Sequence, residues 1–94
     1  MKIIVLGGDG FCGWPTSLRL AACGHEILII DNLSRRSIDD ELSSGSLTNI
    51  ASINERITAA KKEIGEIEFE NIDIANNPLA LRKKIAEFKP QAII

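Results

Sequence analysis

The sequence has few aromatic residues and no long apolar run. It contains one Trp, three Phe and no Tyr among 94 residues, so a hydrophobic core must be built from aliphatic side chains. No apolar run approaches the ~20 residues that a membrane-spanning helix needs. The opening MKIIVLGG is too short for a secretory signal and runs directly into glycines. We therefore expect a soluble protein of the cytoplasm, or of the stroma in a plastid-bearing source.

Positive charge and cysteine are also scarce. Eleven Lys and Arg residues face 13 Asp and Glu residues, which gives a net charge of −2 and disfavours a nucleic-acid partner. The cysteines, Cys12 and Cys23, are predicted to share a helix. At about 1.5 Å per residue they would lie about 16 Å apart, too far for a disulfide, so a reducing compartment is compatible. No metal site is predicted.

Apolar runs and helical periodicities alternate along the chain. Continuous aliphatic runs predict buried strands, and apolar residues at helical spacing predict amphipathic helices. The predicted strands cover residues 2–6, 27–30, 67–72 and 92–94, and the predicted helices cover 11–23, 50–64 and 78–88. A polar, serine-rich stretch at 33–48 predicts a surface loop with a short helical turn at 39–42. The order β-α-β-α-β-α-β predicts an α/β fold, a partial Rossmann-type doubly wound parallel sheet of about four strands.

The sequence stops inside the fourth predicted strand, at Ile93-Ile94. A buried strand at a free end would expose apolar surface and an unpaired strand edge. We therefore expect residues 1–94 to be the N-terminal part of a Rossmann-type domain in a longer protein. The substrate-binding and catalytic parts would then lie outside these residues.

Three glycines, Gly7, Gly10 and Gly13, stand where the first strand gives way to the first helix. In a β-α-β unit the first glycine makes the tight turn, the second admits a pyrophosphate to the main chain, and the third permits close helix–strand packing. The backbone N–H groups of Phe11 and Cys12 would then point at the phosphates. The spacing predicts dinucleotide binding; the alternative is three turn and packing glycines without a ligand.

A carboxylate, Asp31, ends the second predicted strand. It can accept hydrogen bonds from the adenosine ribose and would repel a 2′-phosphate, which favours NAD over NADP. Arg35 and Arg36 weigh the other way, because an arginine in this loop can accommodate a 2′-phosphate. Solvated loop charge remains the alternative for the two arginines, and an exposed turn residue the alternative for Asp31.

Asp73 and Ile74 follow the third predicted strand, where an adenine would lie. The carboxylate can accept from the exocyclic amine, and the next backbone N–H can serve a ring nitrogen. The alternative is a plain turn at the end of a strand. Trp14 is predicted to be a packing residue.

These motifs resemble the extended short-chain dehydrogenase/reductases, especially their NAD-dependent nucleotide-sugar epimerases and dehydratases. More narrowly, GGDGFCGWPTSLRLA, DNLSRR and SLTNIASINERI resemble the family of UDP-sulfoquinovose synthases of sulfolipid biosynthesis. The resemblance implies that Phe11 and Cys12 contact the pyrophosphate through their main chain. It also implies that Asp31, Asn32 and Arg35 surround the ribose and that Asp73 and Ile74 hold the adenine.

The same resemblance implies UDP-glucose and sulfite as substrates and a homodimer in the complete enzyme. The sugar would be oxidised transiently at C4, would lose its C6 hydroxyl, would add sulfite at C6 and would be reduced again at C4. The catalytic Tyr-x-x-x-Lys pair of the superfamily is missing because the chain contains no tyrosine. The 94 residues alone are therefore predicted to be inactive. Another nucleotide-sugar epimerase or dehydratase, or a non-catalytic dinucleotide-sensing module, remains an alternative.

Overall fold

A computed structural model describes residues 1–34, 36–37 and 51–94. Its elements alternate as the sequence predicts: β1 (Lys2–Leu6), α1 (Gly13–Ala22), β2 (Glu26–Asp31), α2 (Ile53–Glu63), β3 (Ile67–Asn71), α3 (Pro78–Phe88) and β4 (Ala92–Ile93). The predicted helical turn at 39–42 and most of the predicted loop lie outside the described residues. In the part that is described, no helix is long and apolar enough to cross a membrane.

The four strands form one parallel sheet in the order β3-β2-β1-β4. This is the order of the first strands of a doubly wound dinucleotide-binding sheet, in which the direction of winding reverses between β1 and β4. The predicted partial Rossmann-type fold is confirmed. The loop after β1 leaves the sheet at this reversal, where α/β proteins open a crevice for ligands.

The sheet is covered on both faces, which explains why the central strands β1 and β2 are continuous aliphatic runs. Ile3 and Val5 face α1 and α2 in one core cluster, whereas Ile4 faces α3 in the other. The most deeply buried side chains are largely isoleucines of the central strands, among them Ile27 and Ile29. The aliphatic core that the composition predicts is therefore confirmed, with Trp14 packed against the first cluster.

Helix boundaries follow local capping chemistry. α1 begins at Gly13, two residues after the predicted start, because the residues before it belong to the glycine-rich turn, and it ends before Gly24 at φ +92°. α2 begins behind a capping box between Ser52 and Glu55. α3 begins at Pro78 behind the Asn77 cap, as predicted.

Two smaller expectations have mixed outcomes. β3 ends at Asn71 rather than at Ile72, which is still buried on the α3 side. Cys12 and Cys23 were predicted to share a helix; they are the N-cap and C-cap at the two ends of α1, and both are free and exposed.

Candidate functional site

The carboxyl ends of β1 and β2 and the turn after β3 meet at one edge of the sheet. A cleft of about 230 Å³ lies between them. Its walls come from all three segments: Leu6, Gly7, Ile30, Asp31, Asn32, Ile72 and Ile74. The parallel sheet therefore brings together the strand-end residues that the sequence predicts for ribose and adenine.

The turn after β1 reverses direction at Gly7, whose φ of +70° is the left-handed conformation that glycine adopts without strain. Its N–H donates to the Ile30 carbonyl across the sheet at 2.8 Å. The Gly10 N–H donates back to the Gly7 carbonyl at 3.0 Å, and the Trp14 N–H donates to the Gly10 carbonyl at 3.1 Å. Gly7 thus makes the tight turn predicted for the first glycine.

Two further glycines permit close packing. A Cβ on Gly13 would overlap the carbonyl oxygen of Gly7 and would lie 2.8 Å from the Cα of Gly8. A Cβ on Gly8 would overlap the side chain of Ile29. Gly13 therefore permits the close helix–strand approach predicted for the third glycine. The role of Gly8 was not predicted, although the Gly-Gly pair in the sequence is a signal for it.

The start of α1 faces outward with unused donors. In the described part of the chain, neither Phe11 nor Cys12 donates its backbone N–H to an acceptor, and the Phe11 side chain is 83% exposed. A Cβ on Gly10 would meet one described atom within 4 Å, the Gly7 carbonyl oxygen at 3.2 Å. Open main chain with free N–H groups at a helix start, backed by the helix dipole, is suited to an anion such as a diphosphate.

Asp31 lies at the end of β2, half-buried, and its carboxylate reaches the glycine-rich turn. Oδ2 accepts the backbone N–H of Asp9 at 3.0 Å, and Oδ1 accepts that of Leu33 at 2.8 Å. Leu33 itself has a φ of +58°. Asp31 therefore fixes the turn after β1 and the segment after β2 relative to each other. Each carboxylate oxygen retains a further lone pair that a ligand hydroxyl can use.

The three residues predicted after Asp31 have different outcomes. Asn32 is exposed and accepts the Ser34 backbone N–H through Oδ1 at 3.0 Å. Arg35 lies outside the described residues. Arg36 contacts Asp9, with Nε and Nη2 at 2.5 and 2.8 Å from its carboxylate oxygens. The hydrogen bond that Arg36 donates to Asp9 raises the pKa of Arg36 above its ordinary value, against the opposing effect of burial.

A cluster around Asp9 is the main feature that the sequence did not predict. Its carboxylate also accepts from Nη1 of Arg56 on α2 at 3.4 Å, and the Arg56 guanidinium lies 5.0 Å from the centre of the Trp14 ring. The partners of Asp9 are 27 and 47 residues away in sequence. A single sequence carries no local signal for such pairs.

Asp73 lies in the turn two residues after β3 and binds that turn itself. Oδ1 accepts the backbone N–H groups of Ala75 and Asn76 at 3.1 and 3.2 Å, and Oδ2 accepts the Asn76 side-chain amide at 2.9 Å. The backbone N–H of Asn76 is the main cause of a pKa of Asp73 below its ordinary value. Ile74 is 43% exposed and lines the cleft. Asp73 thus stabilises the turn after β3, and its role toward an adenine stays a prediction.

The chain is similar to several curated enzymes. It is 43% identical over 95 residues to a UDP-sulfoquinovose synthase of Sulfolobus acidocaldarius, a match that covers 100% of this chain and 24% of that enzyme. It is 37% identical over 94 residues to the chloroplastic UDP-sulfoquinovose synthase of Spinacia oleracea, which covers 99% of this chain and 19% of that enzyme. It is 48% identical over 40 residues to a UDP-glucose 4-epimerase of Klebsiella pneumoniae, covering 40% of this chain and 29% of that enzyme. No family model matches the chain.

The two synthases are matched over nearly all of this chain, which includes the glycine-rich turn, the end of β2 and the turn after β3. The chain spans about a quarter of the first synthase and less of the second. The resemblance to UDP-sulfoquinovose synthases that the sequence motifs predict is therefore confirmed.

Proposed function

We propose that residues 1–94 form the N-terminal, NAD-binding part of a UDP-sulfoquinovose synthase. Its substrate-binding and catalytic parts would follow in the same polypeptide. The complete enzyme would convert UDP-glucose and sulfite into UDP-sulfoquinovose through a 4-keto sugar. The similarity to two synthases along nearly the whole chain supports this choice among nucleotide-sugar enzymes.

The observation that carries the proposal is the glycine-rich turn at the reversal point of the sheet. Gly13 has no room for a Cβ, and the N–H groups of Phe11 and Cys12 donate to no acceptor in the described residues. Turn and packing glycines alone would account for Gly7 and Gly13. They would not account for open main chain and free donors at Gly10 to Cys12, which fit a diphosphate.

The strand-end residues supply the rest of the cofactor site. We assign the adenosine ribose to Asp31 and Asn32, and the adenine to the cleft beside Asp73 and Ile74. The carboxylate of Asp31 already accepts two backbone N–H groups, so it is held in place before a ligand arrives. A pre-positioned acceptor loses little entropy when the ribose hydroxyls bind.

Bound NAD would accept a hydride from C4 of the sugar and return it after sulfite has been added. The residues of this chain would bind and orient the cofactor and would not touch the reacting sugar. A superfamily member needs a tyrosine as acid–base group, and this chain has none. The 94 residues alone are therefore proposed to be inactive, and the complete reading frame is expected to contain Tyr-x-x-x-Lys.

The cofactor assignment is tested on the full-length protein by measuring its NAD content and affinity. Asp31→Ala removes two charge-assisted hydrogen bonds to the ribose, each worth about 1.5–3 kcal/mol, so NAD affinity should fall at least about tenfold. Glu26→Ala, at the opposite end of the same strand, is the matched control and should retain NAD. Unchanged NAD content in Asp31→Ala would refute the assignment.

The reaction is tested by supplying the full-length protein with UDP-glucose and sulfite. UDP-sulfoquinovose is the expected product. UDP-galactose alone would favour an epimerase, the second candidate, which the similarity to UDP-glucose 4-epimerase over 40 residues supports. A protein that binds NAD but turns over neither substrate, and lacks Tyr-x-x-x-Lys, would be a sensing module.

A further inference from the structure

An ionised carboxylate stands inside the turn that we assign to the diphosphate. Asp9 lies between Gly7 and Gly10, and its side chain is 7% exposed. A buried negative charge opposes the binding of an anion next to it. Asp9 is therefore compatible with a phosphate site when nearby positive charge compensates for it.

Two guanidinium groups supply that compensation. Arg36 binds both oxygens of Asp9 through Nε and Nη2, and Arg56 approaches Oδ1 at 3.4 Å. The two arginine side chains are 29% and 21% exposed, so solvent screens these pairs less than it screens pairs on an open surface. The two arginines balance the charges of Asp9 and of Asp31, whose carboxylate also acts on Arg36, so no excess negative charge is left beside the turn.

The same contacts connect three segments of the chain. Arg36 follows β2 and also donates to the Ala51 carbonyl at 3.0 Å, just before α2. Arg56 belongs to α2 and stacks on Trp14 of α1. Asp9 is the point at which these contacts converge, so its loss would release Arg36 from the glycine-rich turn.

The geometry also determines what Arg36 can bind. Its planar guanidinium group faces Asp9, and the pairing is bidentate, the strongest arrangement for an arginine and a carboxylate. An arginine in this loop would otherwise be positioned to accept a 2′-phosphate on the adenosine ribose. The Nε and Nη2 donors of the Arg36 guanidinium are already engaged by Asp9, so a 2′-phosphate would have to compete for them or bind Nη1 instead.

We propose that Asp9 is a specificity-determining residue, which holds Arg36 away from the ribose and thereby favours a dinucleotide without a 2′-phosphate. Arg36 then acts as a positioning residue for the glycine-rich turn. The inference rests on the proposed function, because it presupposes that the site binds a dinucleotide. The carboxylate of Asp31 would repel a 2′-phosphate directly. Asp9, inside the glycine-rich turn, would disfavour the same phosphate by holding Arg36 away from it.

The test uses the full-length protein stripped of cofactor and titrates it with NADH and NADPH by fluorescence. Asp9→Asn releases Arg36, so the affinity for NADPH relative to NADH should rise by about tenfold, the effect of one charge-assisted hydrogen bond. The double variant Asp9→Asn/Arg36→Gln should lose that rise. Arg19→Gln, which removes a charge from the exposed end of α1, is the matched control and should leave both affinities unchanged.

A purely structural role for Asp9 would lower both affinities equally in Asp9→Asn, and that result would overturn the inference. If Asp9→Asn does not fold, Arg36→Gln alone decides. The inference expects an unchanged NADPH to NADH ratio, and a fall in NADPH affinity alone would show that Arg36 already binds the 2′-phosphate. Wild-type protein that binds neither dinucleotide would instead refute the proposed function.

Discussion

The turns after β1 and after β3 lie at the same edge of the sheet and are stabilised in opposite ways. Asp9, in the first turn, binds arginines 27 and 47 residues away. Asp73, in the second, binds the backbone of residues two and three positions ahead. One carboxylate is nearly buried in a tertiary cluster, whereas the other completes a local turn.

The difference separates two kinds of pre-organisation. The turn after β3 contains its own hydrogen-bond partners and can form as soon as the chain reverses direction. The turn after β1 reaches its final geometry when β2, the segment after it and α2 are all in place. A substitution in the first turn should therefore change ligand binding through distant contacts, and one in the second should act locally.

The largest effects are expected from two glycine substitutions in the first turn, one that disturbs packing and one that blocks access of the ligand. Gly13→Ala places a Cβ against the Gly7 carbonyl, and overpacking of this kind costs roughly 1–3 kcal/mol of stability. Gly10→Ala has more room, at 3.2 Å from the same oxygen, and its φ is not positive. Because 3.2 Å from a backbone oxygen is still a tight contact, Gly10→Ala should cost some stability, but less than Gly13→Ala, and should block the diphosphate.

Thermal unfolding and NADH titration of the two full-length variants check this pair. Gly13→Ala should unfold at a lower temperature than Gly10→Ala. Gly10→Ala should bind NADH at least about tenfold more weakly than the wild type, a loss of about 1.4 kcal/mol. Normal NADH binding by Gly10→Ala would mean that the main chain there is not a ligand surface.

A smaller effect is expected at the start of α3, where the second turn ends. Asn77→Ala removes the acceptor of the Ala80 N–H at 3.2 Å, and loss of such a cap costs about 1 kcal/mol. Hydrogen exchange in α3 should accelerate severalfold, with no change in α1. Asn77→Asp keeps a capping oxygen and should restore protection. Faster exchange in α1 as well would contradict the local character of this turn.

The same contrast explains what could be predicted from the sequence. The bounds of β1 and α3 follow from residues that are neighbours in sequence, and both were predicted. The parallel sheet follows from the alternation of strands and helices. The cluster at Asp9 was missed because its partners come from separate segments. The start of α1 was predicted too early because the residues before Gly13 belong to the glycine-rich turn.

The smallest expected effect is a pH dependence confined to the second turn. The pKa of Asp73 is lowered below its ordinary value of 3.8, chiefly by the backbone N–H of Asn76, so the ionised carboxylate stabilises the folded turn. Because the folded pKa is the lower one, this contribution is complete above pH 3.8 and is lost as the pH falls below that value. Asp73→Asn should therefore be less stable than the wild type near neutral pH, and the difference should shrink in acid.

Melting curves from about pH 6 to about pH 3 check this, with the exposed Glu66→Gln as control. A difference that stays constant down to the lowest pH would mean that the charge of Asp73 contributes nothing and that its hydrogen-bonding shape alone holds the turn.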